Sequence, residues 1–278
     1  MNKIFLNKAN SNVKVFLPSI EYFIEKIKNK EHFIFVKVNH GWWEAAVDVT
    51  EKNINLKSYI DLIIKSRLNK LKHPWYTKVK YNILYKQNLI WVNILKNYDK
   101  YPENLFVGVS PTNGIGYDLG AKQLKSLKLI ESWSNDNKPF YHGGLFRHYA
   151  IMGELDNLIS VINKKKINVH FIGPSYCKQY KSLFSSFNFI EIPKYNGANK
   201  INQILKNLKD NANEGDIVLA SFGDSESLLI DLCFDKKLTY IGIGRSFDYL
   251  FKEKISGQLW LKVSEDKLKE GVKKWRTI

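Results

Sequence analysis

The second half of the chain alternates short apolar runs with amphipathic segments, and this alternation constrains the fold more than any other feature of the sequence. Apolar runs at 168–173, 187–193, 215–223 and 238–244 predict strands. The segments between them place apolar residues three and four positions apart, which predicts helices. Strands separated by helices of this kind are joined by right-handed crossovers, so the strands should lie parallel in one sheet with helices on both faces.

The first half extends the same pattern with two further strands, at 33–38 and 104–110. Helical periodicity recurs at 19–30, 56–72, 81–97 and 117–133. We therefore predict an α/β fold: a Rossmann-like parallel sheet flanked by helices, in a single domain over 1–255. A helical basic insertion follows the first strand at about 51–100, and 256–278 is predicted to be a basic C-terminal appendage.

The chain of 278 residues carries a formal net charge of +16, which is high for an otherwise ordinary globular composition. Residues 51–100 contain eleven Lys and Arg against three Asp and Glu. A basic field of this kind attracts phosphates, so the helices in 56–97 are a candidate nucleic-acid surface. An AT-rich genome also favours Lys, Asn and Ile whatever the function, so both interpretations stay open.

Several classes of protein are disfavoured by the sequence. No apolar run is long enough to span a membrane, and the N-terminus does not resemble a signal peptide. Cys177 and Cys233 form neither a metal-binding spacing nor a disulfide framework, which favours a cytoplasmic protein. Neither a dinucleotide-binding fingerprint nor a P-loop follows any predicted strand. The sequence gives no indication of an oligomeric state.

The residues that follow the predicted strands are small and polar. Ligands of open parallel sheets bind beyond the carboxyl ends of the strands, where loop amides and helix N-termini converge. Amide donors, hydroxyls, one guanidinium and carboxylates suit a sugar diphosphate. The donor-binding candidates collected in this way are Asn39, Gly41, Gly173, Pro174, Ser175, Tyr176, Asn196, Asn199, Gly223, Asp224, Ser225 and Arg245.

Each of these groups also has a purely structural interpretation. The Gly-Pro-Ser sequence at 173–175 suits a turn and helix cap, and Asp224 and Ser225 suit an ordinary capping arrangement with Glu226 in the first turn. Arg245 could simply pair with Asp248. His142 and His148 have no metal-binding partner at a useful spacing, whereas Arg147 between them is a candidate for an anion contact.

Taken in chain order, the strand ends resemble GT-D-type glycosyltransferases, a Rossmann-like family that transfers sugars from nucleotide-sugar donors. In that family an apolar strand ends in a motif of the form R-x-G-D-G-E, whose carboxylates serve a metal and the donor diphosphate. The equivalent stretch in this chain is "KVNHGWWE". Lys37 stands at the arginine position, His40 at the aspartate and Gly41 at the second glycine. The glutamate is either replaced by Trp42 or displaced to Glu44.

Later blocks extend the resemblance over most of residues 33–250: "FIGPSY" at 171–176, "IEIPKYNGANKINQIL" at 190–205, and the strand-helix-strand unit at 216–244. The resemblance implies a glycosyltransferase that moves a sugar from a nucleotide-sugar donor to a glycan or another hydroxyl acceptor. His40 in place of the aspartate removes a hard oxygen ligand, so the use of Mn²⁺ or Mg²⁺ stays open.

Two roles are open for the corner after the first strand. His40 and Glu44 lie four residues apart and share a face if a helix begins there, so together they could act as the catalytic base for an acceptor hydroxyl. Alternatively, His40 with Lys37 could neutralise the donor diphosphate without a metal. Gly41 would let the backbone approach the donor closely.

Two other functions remain as alternatives. The first is sugar transfer to a hydroxylated base in DNA, with the basic helices in 56–97 facing the duplex. The second is a non-catalytic relative that only binds nucleic acid or a nucleotide.

Overall fold

A computed structural model describes residues 3–5, 14–38, 81–109, 138–194, 197–250 and 264–276. Within these residues nine strands form one sheet. The strands are β1 Lys3–Phe5, β2 Lys14–Phe16, β3 Ile34–Val38, β4 Leu105–Val109, β5 Phe140–His142, β6 Val169–Gly173, β7 Phe187–Glu191, β8 Ile217–Ala220 and β9 Thr239–Ile241.

The strand order is β1-β2-β5-β4-β3-β9-β8-β6-β7. Only β1 is antiparallel to its neighbour β2, and all the other pairs of neighbouring strands are parallel. The predicted Rossmann-like parallel sheet is therefore confirmed. β3 lies in the middle of this order, between β4 and β9, so the carboxyl ends of these three parallel strands lie side by side.

Three strands were not predicted, and the interpretation of their segments as a lead-in and a loop was wrong. β1, β2 and β5 have three residues each, which is too short for an apolar period to be visible. They pair at one side of the sheet, where β2 and β5 extend the parallel order beyond β4.

Two layers of helices cover the sheet. The helices are α1 Ile20–Lys28, α2 Tyr81–Lys96, α3 Leu145–Ile151, α4 Leu155–Lys164, α5 Ile201–Asn211, α6 Ile230–Asp235 and α7 Glu265–Arg276. Helices α2, α5 and α6 share one core with Ile34, Val36 and Val38 of β3. Helices α1, α3 and α4 share the other core with Phe33 and Phe35. Alternate residues of this central stretch thus face opposite layers, as expected for a strand covered on both sides.

Two segments predicted as α-helices contain 3₁₀ helices instead: Ser175–Leu183, which is 3₁₀ throughout, and Gly223–Leu229, which leads into α6. In the first, the buried residues Cys177 and Tyr180 are three apart, because a 3₁₀ helix aligns such positions on one face. The second is enclosed on more than one face and buries Ser225, Glu226, Ser227 and Leu229.

The predicted helix at 81–97 is confirmed as α2, whereas 56–72 and 117–133 lie outside the described residues. Within the predicted C-terminal appendage, α7 contacts α3 and buries Val272 completely. None of the described helices is long and apolar enough to cross a lipid bilayer.

Candidate functional site

The carboxyl ends of the parallel strands meet at one edge of the sheet, termed the carboxyl rim, and Lys37 near the end of β3 reaches across it. The Lys37 ammonium lies against the backbone of Gly244, just beyond β9: a Cβ built on Gly244 would stand 2.0 Å from Lys37 Nζ. Gly244 also has a φ of +55°, which disfavours residues with a side chain. Glycine at this position therefore makes room for the ammonium.

A buried carboxylate lies beside the same strands. Glu226, in the 3₁₀ helix Gly223–Leu229, is 0% exposed, and its Oε2 accepts a hydrogen bond of 3.1 Å from the backbone N–H of Lys37. A Cβ built on Gly242 would lie 2.1 Å from this Oε2 atom, so the absence of a side chain at 242 admits the carboxylate. Burial, and secondarily the charge of Glu226, raises the pKa of the neighbouring Tyr240 hydroxyl well above its usual range.

Sequence reasoning missed this position, because Glu226 reads as an acidic residue in the first turn of a helix. The signal that could have found it is the pair of glycines in "IGIG" at 241–244. Together these two glycines admit one anionic group and one cationic group. The backbone that follows β9 therefore lies against two charged side chains from other elements, Glu226 at Gly242 and Lys37 at Gly244.

Arg245 is held in place from two directions. Its Nε donates a hydrogen bond of 2.7 Å to Oδ2 of Asp248, so the predicted pairing within the chain does form. The guanidinium carbon lies 5.9 Å from the centroid of the Tyr176 ring. Asp248 is 1% exposed, and its other oxygen accepts a hydrogen bond from the Tyr180 hydroxyl. Burial and this hydrogen bond raise the pKa of Tyr180.

The contacts with Asp248 and Tyr176 do not satisfy the whole guanidinium of Arg245. Arg245 Nη2 is buried and has no hydrogen-bond partner among the described residues. A buried N–H donor without an acceptor is costly. An anion at the carboxyl rim would satisfy it, and a phosphate suits the planar arrangement of the guanidinium donors.

The other predicted donor-binding residues that the structure describes have packing roles. A Cβ built on Gly173 would lie 2.8 Å from the Phe171 ring, and Pro174 caps the 3₁₀ helix that follows. Gly223 begins its helix with a φ of +65°. Ser225 is buried and donates a hydrogen bond of 3.1 Å to Gln87 of α2, which ties the 3₁₀ helix to the layer above it.

The remaining predicted residues are described fully, in part, or not at all by the structure. Ser175 is exposed at the start of its 3₁₀ helix, and Asn199 is partly buried in the 3₁₀ helix Gly197–Lys200. The backbone of Asp224 is described but its side chain is not. Outside the described residues lie Asn39, His40, Gly41, Glu44 and Asn196.

Two histidines lie close together at the end of β5. The ring centroids of His142 and His148 are 4.4 Å apart. Nδ1 of His142 accepts a hydrogen bond of 2.9 Å from the backbone N–H of Gly144. Burial, followed by the charge of Arg147, lowers the pKa of His142 to about 3, so the imidazole is neutral near pH 7. Across the described residues, no three His, Cys, Asp or Glu side chains are grouped closely enough to hold a metal ion.

Of the basic helices predicted in 56–97, the structure describes α2. Its exposed side chains include Lys86 and Lys96, and Trp91 anchors its buried face.

No protein-family model and no curated protein sequence matches this chain. Three solved structures share its fold. A selenomethionine-substituted domain of unknown function 1792 superposes with a TM-score of 0.56 at 15% identity, covering 96% of this chain and 92% of that one. A second structure of this domain, described as having a distinct glycosyltransferase fold, gives 0.55 at 16% identity with the same coverage.

The third structure, described as a new glycosyltransferase of this domain type from Streptococcus sanguinis, gives a TM-score of 0.53 at 14% identity. It covers 92% of this chain and 93% of its own. The resemblance to GT-D-type glycosyltransferases is thereby confirmed for the fold: nearly the whole chain has the distinct glycosyltransferase fold of these domains.

Proposed function

We propose that the protein is a glycosyltransferase that uses a nucleotide-sugar donor, with the donor diphosphate at the carboxyl rim between Lys37 and Arg245. The observation that supports this most directly is that the Lys37 ammonium lies against the backbone of Gly244, the residue that precedes Arg245 in the chain. Lys37 and Arg245 both belong to loops and strand ends where ligands of open parallel sheets bind. The glycosyltransferase fold of the three solved structures agrees with this chemistry.

Sugar transfer breaks the bond between the anomeric carbon and a diphosphate oxygen, and the diphosphate leaves with the bonding electrons. Negative charge therefore grows on the leaving group, and cations fixed beside it stabilise the transition state more than the ground state. In this proposal Lys37 supplies a point charge, and the guanidinium of Arg245 donates to the phosphate oxygens. Asp248 and Tyr176 fix the orientation of the guanidinium.

The acceptor hydroxyl must form a bond to the anomeric carbon and lose its proton to a base. We assign this base to the predicted pair His40 and Glu44, in the corner that follows β3. Glu226 is proposed as a positioning residue, because its carboxylate holds the backbone of Lys37 at the point where the chain leaves the sheet.

Lys37 and Arg245 carry the neutralisation of the diphosphate in this proposal. A divalent cation such as Mn²⁺ or Mg²⁺ would need carboxylate ligands. Glu44 and Asp224, whose side chains are not described, are the carboxylates that the sequence places near the rim.

The test is a panel of nucleotide-sugars incubated with the protein and a mixture of glycan acceptors, with released nucleoside diphosphate as the readout. Lys37→Met and Arg245→Gln should each lower turnover by at least about tenfold, since each removes a charge-assisted hydrogen bond. Lys28→Met is the matched control, because this exposed lysine pairs with Glu25 in the last turns of α1, at the opposite edge of the sheet from the carboxyl rim. Unchanged turnover in both rim variants, or no turnover with any donor, would contradict the proposal.

A further inference from the structure

A cavity of about 460 Å³ lies at the opposite edge of the sheet, where the loops that lead into β3, β6, β8 and β9 meet. Its polar lining comprises Lys30, Glu31, His32, Lys165, Glu214 and Lys237, with Thr239 among the other contributors. The volume is typical of a site for a small ligand. A five-residue strand spans about 17 Å, so the cavity is separate from the carboxyl rim.

The backbone around this cavity contains an unusual choice of residues. Among the described residues other than glycine, those with a left-handed φ are Lys30, Lys166 and Lys237, at +59°, +53° and +51°. Each lies just beyond the C-cap of a helix: α1, α4 or α6. Glycine is the favoured residue there, because a side chain makes the left-handed conformation costly. Lysine is therefore present at all three positions in spite of backbone strain.

Part of the explanation is electrostatic, since a cation near the C-terminus of a helix is favourable. That explanation applies equally to all three lysines. Two of them, Lys30 and Lys237, also line the cavity, where Lys165 adds a third ammonium. Local rules are most often broken where function requires it. Lys166 has the same conformation but does not line the cavity, so the positive charge gathered there, rather than the strain, is what indicates a ligand.

The carboxylates of the cavity have cations of their own. Glu31 forms an ion pair of 2.9 Å with Lys26, which does not line the cavity, and Glu214 pairs with Lys237 at 3.1 Å. Lys165 donates to the backbone carbonyl of Lys28 at 3.1 Å. Neither Lys30 nor Lys165 forms an ion pair with any described carboxylate. The cavity therefore presents a positive charge to its contents.

We propose that this cavity binds a small phosphate-bearing molecule of about mononucleotide size, independently of the proposed sugar transfer. The ammonium groups of Lys30, Lys165 and Lys237 would hold the phosphate. Glu214 and the hydroxyl of Thr239 offer acceptors for hydroxyl groups on the rest of the ligand. A concave site with two carboxylates in its lining suits a small ligand better than a nucleic-acid duplex, whose phosphates would approach those carboxylates.

The experiment is calorimetric titration of the full chain with AMP, with adenosine as the ligand that lacks the phosphate. The double variant Lys30→Gly/Lys237→Gly should weaken AMP binding by at least about tenfold, because two charge-assisted contacts are lost. The melting temperature of the double variant should stay the same or rise by about 2 °C for each site, since glycine relieves the strain of the left-handed backbone conformation. Weaker binding with undiminished stability is the expected combination.

Lys166→Gly, compared with Lys30→Gly and Lys237→Gly singly, is the matched control, because each removes one charge and one strained position and only Lys166 does not line the cavity. It should leave AMP affinity within about twofold. Arg245→Gln should leave this binding unchanged, which separates the cavity from the carboxyl rim and from the proposed transferase activity. Equal losses in the double variant and in Lys166→Gly would overturn the proposal. So would wild-type affinity in the double variant, equal binding of adenosine, or tighter binding of duplex DNA.

Discussion

Replacing Gly244 by alanine tests the arrangement of the carboxyl rim. The new Cβ would lie 2.0 Å from Lys37 Nζ, and ordinary van der Waals contact begins near 3.4 Å, so the ammonium must move by about 1.4 Å. The left-handed φ of +55° adds a backbone cost of about 1 kcal/mol. Lysine is flexible, so its displacement adds little to the loss of stability.

Gly153→Ala measures the backbone cost alone. Gly153 has a φ of +74°, and a Cβ built there meets nothing within 4 Å. The two alanine variants should therefore lose about the same free energy of unfolding, about 1 kcal/mol each, in urea titrations. Only Gly244→Ala should weaken the binding of nucleoside diphosphates. The expected loss is about tenfold or more, because a shift of this size breaks a charge-assisted hydrogen bond to phosphate.

A double-mutant cycle shows whether the effect acts through Lys37. In a Lys37→Met background, Gly244→Ala should cause no further loss of affinity measured by calorimetry. If Gly153→Ala weakens binding as much as Gly244→Ala, the change reflects general destabilisation. If Gly244→Ala still weakens binding without Lys37, then Gly244 does not act by making room for the Lys37 ammonium, and the proposed rim is wrong.

Three further outcomes are expected. The pKa of His142 is about 3 in the folded protein and about 6.5 in the unfolded chain, so between pH 6.5 and 3.5 only the unfolded state binds a proton at this residue. This proton binding lowers the free energy of unfolding of the wild type by up to about 4 kcal/mol over that range. His142→Asn removes the titrating group, so its free energy of unfolding in urea titrations should decline less steeply as the pH falls. Tyr180→Phe removes a hydrogen bond to Asp248, which orients Arg245, so it should weaken nucleoside diphosphate binding several-fold in calorimetry. Tyr98→Phe is the control, because it removes buried hydrogen bonds to the backbone of Leu105 and Val107. Both variants should lower the free energy of unfolding by about 1–2 kcal/mol, but only Tyr180→Phe should affect binding. Sugar transfer should persist in EDTA, because the two cations of the rim neutralise the diphosphate; an absolute requirement for added Mn²⁺ would contradict that assignment.

The architecture was predictable from the sequence where apolar runs are long. The strands from β6 to β9, together with β3 and β4, were predicted to within a few residues. All of them except the edge strand β7, which buries only Ile190, are buried on both faces and therefore largely apolar. The three-residue strands carry no such signal. β5 is placed in the sheet by its pairing with β2 and β4, which is a tertiary fact that no local pattern records.

The candidate site was predictable only in part, for a similar reason. Arg245 follows a predicted strand, so position along the chain was enough to select it, whereas Lys37 was selected by the resemblance to the R-x-G-D-G-E motif. Glu226 belongs beside Lys37 only because β9, carrying Gly242, lies between β3 and β8. Ser225, one residue earlier, faces α2 instead. Which of these two side chains faces the strands depends on the 3₁₀ geometry of Gly223–Leu229, and periodicity could not distinguish that geometry from an α-helix.

The two glycines after β9 give a criterion for finding comparable arrangements in distant chains. The signature has three parts: a lysine just before the last residue of the central strand, a glutamate shortly after the strand two places away in the sheet, and a Gly-x-Gly that follows the strand between those two. It is defined by missing side chains as well as by charges. At about 15% identity, this combination can be scored from strand assignments alone. Chains that keep all three parts should share the geometry around Lys37.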